Sequence, residues 1–156
     1  MKRISFAVLL FLALVVTPAC SSFESDYAQR AGKLQAFPTP VEGAWEGRWQ
    51  SEKGHGGGEL RAIITPVKQA TVSAAKEYVG RFKAKWGFFS SEYSASVTSE
   101  TDITRMSTAK ILVEANLGWL AGGKFSMDGQ STGNSINAKY QSSNDAGTIE
   151  LKKVGD

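Results

Sequence analysis

The most diagnostic segment of this chain is Tyr78-Val79-Gly80-Arg81-Phe82-Lys83-Ala84-Lys85-Trp86. Aromatic and small residues alternate in it with charged or β-branched ones, the period-two pattern of a strand with one face in the core and one in water. Similar alternation recurs along the chain. The predicted strands are 44–50, 59–65, 78–86, 91–98, 108–117, 124–131, 135–142 and 148–154.

Turn-forming residues separate these strands, and no helical period is long enough to cross a sheet. Gly, Asn, Asp and Ser are concentrated between consecutive strands, where hairpins need left-handed backbone angles. The segments 66–76 and 99–107 are less regular and are predicted as long loops or extended hairpin arms. Consecutive hairpins imply antiparallel pairing. We therefore predict an all-β fold, an eight-stranded antiparallel up-and-down barrel, with a β-sandwich as the alternative.

The N-terminal residues have the organisation of a bacterial export signal. Lys2 and Arg3 precede an uncharged apolar run over residues 4–16, and small residues follow it. A helix of that length rises only about 20 Å, short of the roughly 30 Å hydrocarbon core of a bilayer. We predict that residues 1–19 are a signal peptide and that the protein is exported to the cell envelope.

Cys20, the only cysteine of the chain, lies at the predicted cleavage point. A lone cysteine in an exported protein cannot form an internal disulfide, so its position favours an acylated Cys20 that anchors the protein in a membrane. Ser21 favours the outer membrane, with the domain facing the periplasm or the surface. Because Thr17 and Pro18 are unusual before a lipidated cysteine, the alternative is ordinary cleavage that leaves a soluble periplasmic or secreted protein.

A tether is predicted between the leader and the first strand. Residues 20–40 are mostly polar, and Pro38 and Pro40 stiffen the end of the segment. The alternative is a short helix within residues 26–37, which contain good helix formers. The barrel domain then occupies residues 41–156.

Charge disfavours one class of partner. The chain has 18 Lys and Arg and 15 Asp and Glu residues, and removal of Lys2 and Arg3 with the leader brings the domain close to neutrality. Such a domain lacks the basic surface of a nucleic-acid binder, and no nucleic-acid partner is expected. Arg81, Lys83 and Lys85 form a basic stripe on an outer strand face. We interpret this stripe as a solvated face, with a site for anionic lipid or polymer as the alternative.

A family resemblance begins at the first strand. Gly43-Ala44-Trp45 resembles the G-x-W motif of lipocalins and related calycin barrels. In that family the Trp closes one barrel end beneath a basic residue of the last strand, which implies these roles for Trp45 and for Lys152 or Lys153. A wider pattern is similar to a group of small exported bacterial lipoproteins without an established activity. It consists of residues 43–51, 117–123 and 140–151.

One short pattern occurs twice. Trp49-Gln50-Ser51 and Tyr140-Gln141-Ser142 are each followed, at the same spacing, by Glu-Leu. A genuine repeat would make the first and last hairpins structural equivalents and would fit a barrel in which the first and last strands meet. Coincidence is the alternative.

The predicted inner face mixes large aromatic with small residues. Eight-stranded barrels are just wide enough to be filled by side chains or to hold one small ligand, and this mixture fits either case. The candidate ligand-binding residues are Trp45, Trp49, Phe82, Trp86, Tyr93, Phe125 and Tyr140. The candidate rim or partner contacts, which would otherwise close a barrel end, are Phe88, Phe89 and Trp119.

Catalytic patterns are weak. His55 lies in a glycine-rich turn without the order of a phosphate-binding loop, and one His with one Cys does not supply an ordinary zinc site. The strand carboxylates, such as Glu46 and Glu92, are predicted to face solvent. We therefore predict no enzyme, no metal and no cofactor.

Two functions remain. The resemblance to lipocalins favours a membrane-anchored carrier of a small apolar or amphiphilic ligand, an argument from fold analogy. The alternative is an envelope protein-interaction module with a filled core, acting as a scaffold or as an inhibitor of secreted enzymes. The two hypotheses differ in interior volume.

Overall fold

Eight antiparallel strands close into a barrel in sequence order. The structure, a computed structural model, describes residues 22–32, 39–67, 75–101, 107–118 and 123–155. The predicted antiparallel barrel is confirmed, and the sandwich alternative is wrong, because the first strand pairs with the last. The strands are β1 (Gly43–Ser51), β2 (Gly57–Pro66), β3 (Ala75–Trp86), β4 (Phe89–Thr101), β5 (Ala109–Asn116), β6 (Lys124–Ser131), β7 (Ser135–Ser142) and β8 (Ala146–Val154).

The alternation in β3 places its side chains as predicted. Phe82 is buried, whereas its chain neighbours Arg81 and Lys83 lie on the outer face and form ion pairs. Ladder pairing puts Ala62 and Tyr93 opposite Phe82 on β2 and β4, so the inner faces of adjacent strands coincide. The residues that fill the interior include Trp45, Leu60, Ile64, Val97, Ile111, Val113, Met127, Ile136, Ile149 and Leu151.

The two less regular segments contain parts of the longest strands. β3 begins at Ala75 and β4 continues to Thr101, so both segments contribute extended hairpin arms. Residues 68–74 and 102–106 lie outside the described residues. The predicted signal peptide and Cys20 also lie outside them.

Trp45 closes one end of the barrel. Its fully buried indole donates from Nε1 to the carbonyl of Val41 at 3.0 Å. Lys153 is paired with Trp45 across β1 and β8, and its Nζ lies 5.2 Å from the indole centroid while donating to the carbonyl of Thr39 at 2.9 Å. Of the two basic residues proposed to cover the tryptophan, Lys153 therefore takes that position.

A helix packs on the outside of the barrel where a tether was predicted. The helix α1 (Ser22–Ala31) buries Phe23 and Tyr27 against Ala44 and Ile63, which face outward on β1 and β2. The tether prediction is wrong for these residues, because two aromatic rings one turn apart suffice to dock a mostly polar segment. The alternative helix over 26–37 overlaps α1 only in part. No helix in the described ranges is long and apolar enough to cross a membrane.

Two of the three residues of the basic stripe, Arg81 and Lys83, pair with α1. Glu24 contacts Arg61 at 3.2 Å and Lys83 at 2.8 Å, and Asp26 contacts Arg81 at 2.5 Å. Such exposed pairs contribute about 0–1 kcal/mol each, whereas burial of an aromatic side chain contributes about 1.5–3 kcal/mol. Apolar packing therefore dominates the docking of the helix, and the ion pairs set its position.

Candidate functional site

The barrel end opposite Trp45 is hollow. A cavity of about 740 Å³ opens there between the hairpins, and we call it the cup. The barrel thus has a filled end and an open end, which combines the two interiors considered from the sequence. The principal wall residues are Trp49, Leu60, Ala84, Tyr93, Phe125, Tyr140 and Ile149.

Aromatic rings on different strands form a continuous wall. Phe125 of β6 stacks on Tyr140 of β7 with centroids 5.9 Å apart, and Tyr93 of β4 meets Phe125 edge-on at 6.1 Å. Trp49 of β1 meets Tyr140 edge-on at 6.5 Å. Contacts of this kind hold the rings at defined angles, so the wall is apolar and ordered.

Five of the seven candidate ligand-binding residues line the cup: Trp49, Trp86, Tyr93, Phe125 and Tyr140. The other two lie elsewhere. Trp45 is at the filled end, and Phe82 lies beneath the cup, where it stacks on Tyr93 at 5.2 Å.

Trp86 lies at the mouth. Its place in the strand alternation predicted that it would be buried, but it is not. It is 41% exposed and stacks on Phe89 at 6.5 Å. The cause is position, because β3 ends at Trp86 and the chain reverses there.

The turn after Trp86 carries the exposed aromatic residues. Gly87, with a left-handed φ of 55°, and Phe88 connect β3 to β4. Phe88 is fully exposed and Phe89 is 68% exposed, so these two predicted rim residues project into solvent and do not cover the cup. The third, Trp119, lies outside the described residues.

The described strands leave the wall incomplete beside this turn. β4 pairs with β5 only over residues 96–101, so residues 89–95 pair with β3 alone among the described strands. Asn116 and Leu117, at the end of β5, line the cup on the opposite side of this gap. Within the part of the chain that the structure describes, the mouth therefore extends from the barrel end into the side wall.

Asp145 is the common partner of the polar groups at the mouth. Its Oδ1 accepts hydrogen bonds from the hydroxyl of Ser51 at 2.6 Å and the amide of Ala146 at 2.9 Å, and its Oδ2 accepts one from the hydroxyl of Tyr140 at 2.8 Å. The Nδ1 of His55 lies 3.3 Å from Oδ1. We call Ser51, His55, Tyr140 and Asp145 the Asp145 cluster.

The cluster stabilises a charged Asp145 and a protonated Tyr140. Burial opposes ionisation of Asp145, but hydrogen bonds from Ser51, Tyr140 and Ala146, together with His55, hold the pKa of its carboxyl below the ordinary value. Burial and the hydrogen bond to Asp145 raise the pKa of Tyr140. The mouth thus carries a fixed carboxylate at neutral pH, with its hydrogen bonds largely satisfied.

The repeated sequence segments meet at this cluster. Ser51 binds the carboxylate of Asp145, and the hydroxyl of Ser142 accepts from the amide of Asp145 at 3.0 Å. The two preceding aromatic residues, Trp49 and Tyr140, are also in contact. The repeated pattern predicts a relation between the two segments, but nothing in it indicates Asp145 as their common partner.

No protein-family model matches this chain, and neither does any curated protein or solved structure. The chemistry of the site is therefore argued from the residues that form it.

The Asp145 cluster is not arranged for nucleophilic catalysis. The Ser51 hydroxyl donates a hydrogen bond to Asp145, whose lowered pKa makes its carboxylate a weak base, and the side chain of His55 contacts the same carboxylate. In a hydrolytic triad the histidine would lie between the two. Within the described ranges, no three His, Cys, Asp or Glu side chains are grouped to hold a metal ion.

A glycine leaves room for the indole of Trp49. Gly58 is its ladder partner on β2, and a Cβ there would come within 1.8 Å of the Lys85 carbonyl oxygen and 2.9 Å of the indole Nε1. This nitrogen is buried without a hydrogen-bond acceptor among the described residues. The indole thus contributes an apolar surface to the cup, at the cost of an unpaired donor.

Proposed function

We propose that the protein binds a small amphiphilic molecule in the cup, with an apolar body between the rings and a polar head at the Asp145 cluster. The observation that carries this proposal is a cavity of about 740 Å³ that has aromatic walls and a polar cluster at its mouth. Ligand pockets of proteins commonly measure about 300–1,000 Å³ and combine apolar walls with a few placed polar groups.

Charge narrows the ligand class. Among the described residues that line the cup, the acidic side chains are Glu92 and Asp145, and no Lys or Arg is present. Glu92 is paired with Lys83 on the outer face at 3.3 Å, which leaves Asp145 as the dominant charge of the mouth. A fatty-acid carboxylate would be repelled there. We therefore infer a ligand with a neutral or cationic head.

Three amphiphiles with one tail test this proposal. We expect dodecylamine and monododecanoylglycerol to change the intrinsic tryptophan fluorescence of the full-length protein saturably, because Trp49 is part of the wall, and dodecanoic acid to bind at least several-fold more weakly. The absence of saturable binding by all three would contradict the proposed carrier function. Equal binding by all three would contradict only the proposal that Asp145 selects against anionic heads.

A variant that fills the cup provides the control. Ala84→Phe adds a ring to the wall and should weaken binding at least tenfold. Val79→Phe, on the same strand but at an exposed outward position, should leave binding unchanged. Equal affinities of the two variants would place the ligand outside the cup.

We further propose that the protein is an exported, lipocalin-like envelope lipoprotein. The position of Lys153 over Trp45 supports the likeness to lipocalins, which is an analogy of fold. Growth with labelled palmitate tests the anchor at Cys20. Cys20→Ser should abolish labelling and weaken membrane attachment, whereas Ser21→Ala should keep both the labelling and the attachment. A Cys20→Ser variant that still incorporates labelled palmitate would contradict acylation at Cys20.

A further inference from the structure

We propose that the open end of the barrel docks on a lipid bilayer through Trp86, Phe88 and Phe89, which we call the aromatic tip. This inference deepens the proposed function and rests on it in one respect, because docking would turn the mouth of the cup towards a source of amphiphiles. Three observations support it: the exposure of the tip, the direction of α1 and the pairing of the nearby charges.

The aromatic tip is a compact apolar projection beside the mouth. Phe88 is fully exposed, Phe89 is 68% exposed and Trp86 is 41% exposed, although all three are large apolar side chains. Trp86 also lines the cup, so the tip and the cavity are continuous. Adjacent exposed aromatic residues mark an interaction surface, and rings of this kind are favoured at membrane interfaces.

The N-terminus of α1 points towards the same end of the barrel. Arg30, near the last turn of the helix, contacts Glu42 just before β1 and therefore lies at the filled end. Glu24, in the first turn, contacts Lys83, only three residues before Trp86 on β3. The helix thus runs from the mouth side to the filled end.

This direction determines where the preceding chain leaves the barrel. α1 begins at Ser22, and two residues of extended chain span at most about 7 Å. The proposed acylation site, Cys20, is two residues before Ser22 in the sequence, so an acyl chain attached there would be held within that reach of the mouth-side end of α1. An anchor there and the aromatic tip would contact one membrane together.

Charges near the tip favour a bilayer contact that is mainly apolar. Lys83 pairs with Glu24 and Glu92, and Lys85 lies 3.7 Å from Glu59, so the cations that precede the tip on β3 have acidic partners. A strongly basic surface for anionic headgroups is not built at this position. Zwitterionic phosphatidylcholine vesicles should therefore be sufficient for docking.

Photocross-linking of the full-length protein in phosphatidylcholine vesicles tests the proposal. p-Benzoylphenylalanine in place of Phe88 should cross-link to acyl chains at least fivefold more than the same group in place of Asn134. The latter position is exposed in the β6–β7 turn at the filled end, so it provides a matched control. Equal lipid cross-linking at the two positions would overturn the proposal. So would cross-links from position 88 to a protein alone in native envelope membranes, and that result would favour the protein-interaction function.

A double variant separates this inference from the carrier function. Phe88→Ser combined with Phe89→Ser should reduce quenching of Trp86 by brominated lipids, because the tip no longer inserts. Binding of monododecanoylglycerol in water should be unchanged, since neither residue lines the cup. A failed titration with intact lipid cross-linking would contradict the carrier alone. A normal titration without lipid contact would contradict docking alone.

Discussion

Asp145 links the stability of the protein to pH. Its pKa is lowered in the folded state, so its stabilising effect is present above the unfolded-state pKa of about 4 and is lost as the pH falls through the folded-state value. Asp145→Asn should reduce the free energy of unfolding at pH 7 by about 1–3 kcal/mol, as expected for hydrogen bonds to a charged group. Urea unfolding at pH 7 and pH 2.5 measures this difference, which should shrink at the lower pH.

Asp128→Asn is the matched control. Asp128 is an exposed carboxylate that lies 3.8 Å from Lys110, and its loss should cost less than about 1 kcal/mol. A cost for Asp145→Asn that is no larger, or that is the same at both pH values, would show that the cluster does not stabilise the carboxylate.

Individual inner residues were predictable where the pattern is local. Arg81 and Lys83 are charged and favour the outer face, so Phe82 between them faces the core. The period of two then determines the direction of the other side chains in the strand. The Asp145 cluster was not predictable in this way, because Ser51 and Asp145 are 94 residues apart and meet only when β1 pairs with β8. The pairing of β1 with β8 would have predicted the contact between Ser51 and Asp145, since Ser51 lies opposite Gly147, two residues after Asp145.

The docked helix is an element whose contribution can be removed separately. Phe23→Ala with Tyr27→Ala should release α1 and lower the free energy of unfolding by about 2–5 kcal/mol, because two buried rings are lost. The barrel should remain folded, since α1 supplies no strand to the closed ladder. Trypsin cleavage after Arg30, monitored alongside near-ultraviolet circular dichroism, measures both effects.

Asp26→Asn provides the comparison for the helix. It weakens only the exposed pair with Arg81 and should leave cleavage after Arg30 slow. If this variant released the helix as readily as the aromatic double variant, charge would govern docking rather than apolar packing.

The elements differ in how far sequence could predict them. Strands β1 to β8 follow from alternation and turn residues over a few positions each. Helix α1 was predicted only as an alternative that overlaps it in part, because Phe23 and Tyr27 provide just two large apolar side chains in a mostly polar segment. Their partners, Ala44 and Ile63, are outward-facing residues that nothing in the local sequence distinguishes.

Across the whole molecule, the two ends of the barrel should differ in stability. The filled end has paired strands around Trp45, whereas residues 89–95 of β4 pair on one side only among the described strands. Alternate amides over 89–95, which point away from β3, should exchange with solvent by local opening. Amides paired between β1 and β8 should exchange only through global unfolding.

Hydrogen exchange resolved by residue measures this contrast. The amides of 89–95 that pair with β3 are the internal control, because they belong to the same strand and differ only in direction. Uniform protection along β4 would show that the gap in the side wall closes in solution. The size of the cup could not be derived from the sequence, since it depends on where β5 ends relative to β4.

The pairing of β1 with β8 also determines where a fusion partner would emerge. β8 ends at Val154, beside Ala44 at the base formed by Trp45 and Lys153. An affinity tag or fluorescent protein appended to the C-terminus would therefore extend from the sealed base, on the far side from the entrance. Such fusions should leave ligand uptake unobstructed, whereas a domain inserted between Trp86 and Phe89 would lie directly at the entrance to the cavity.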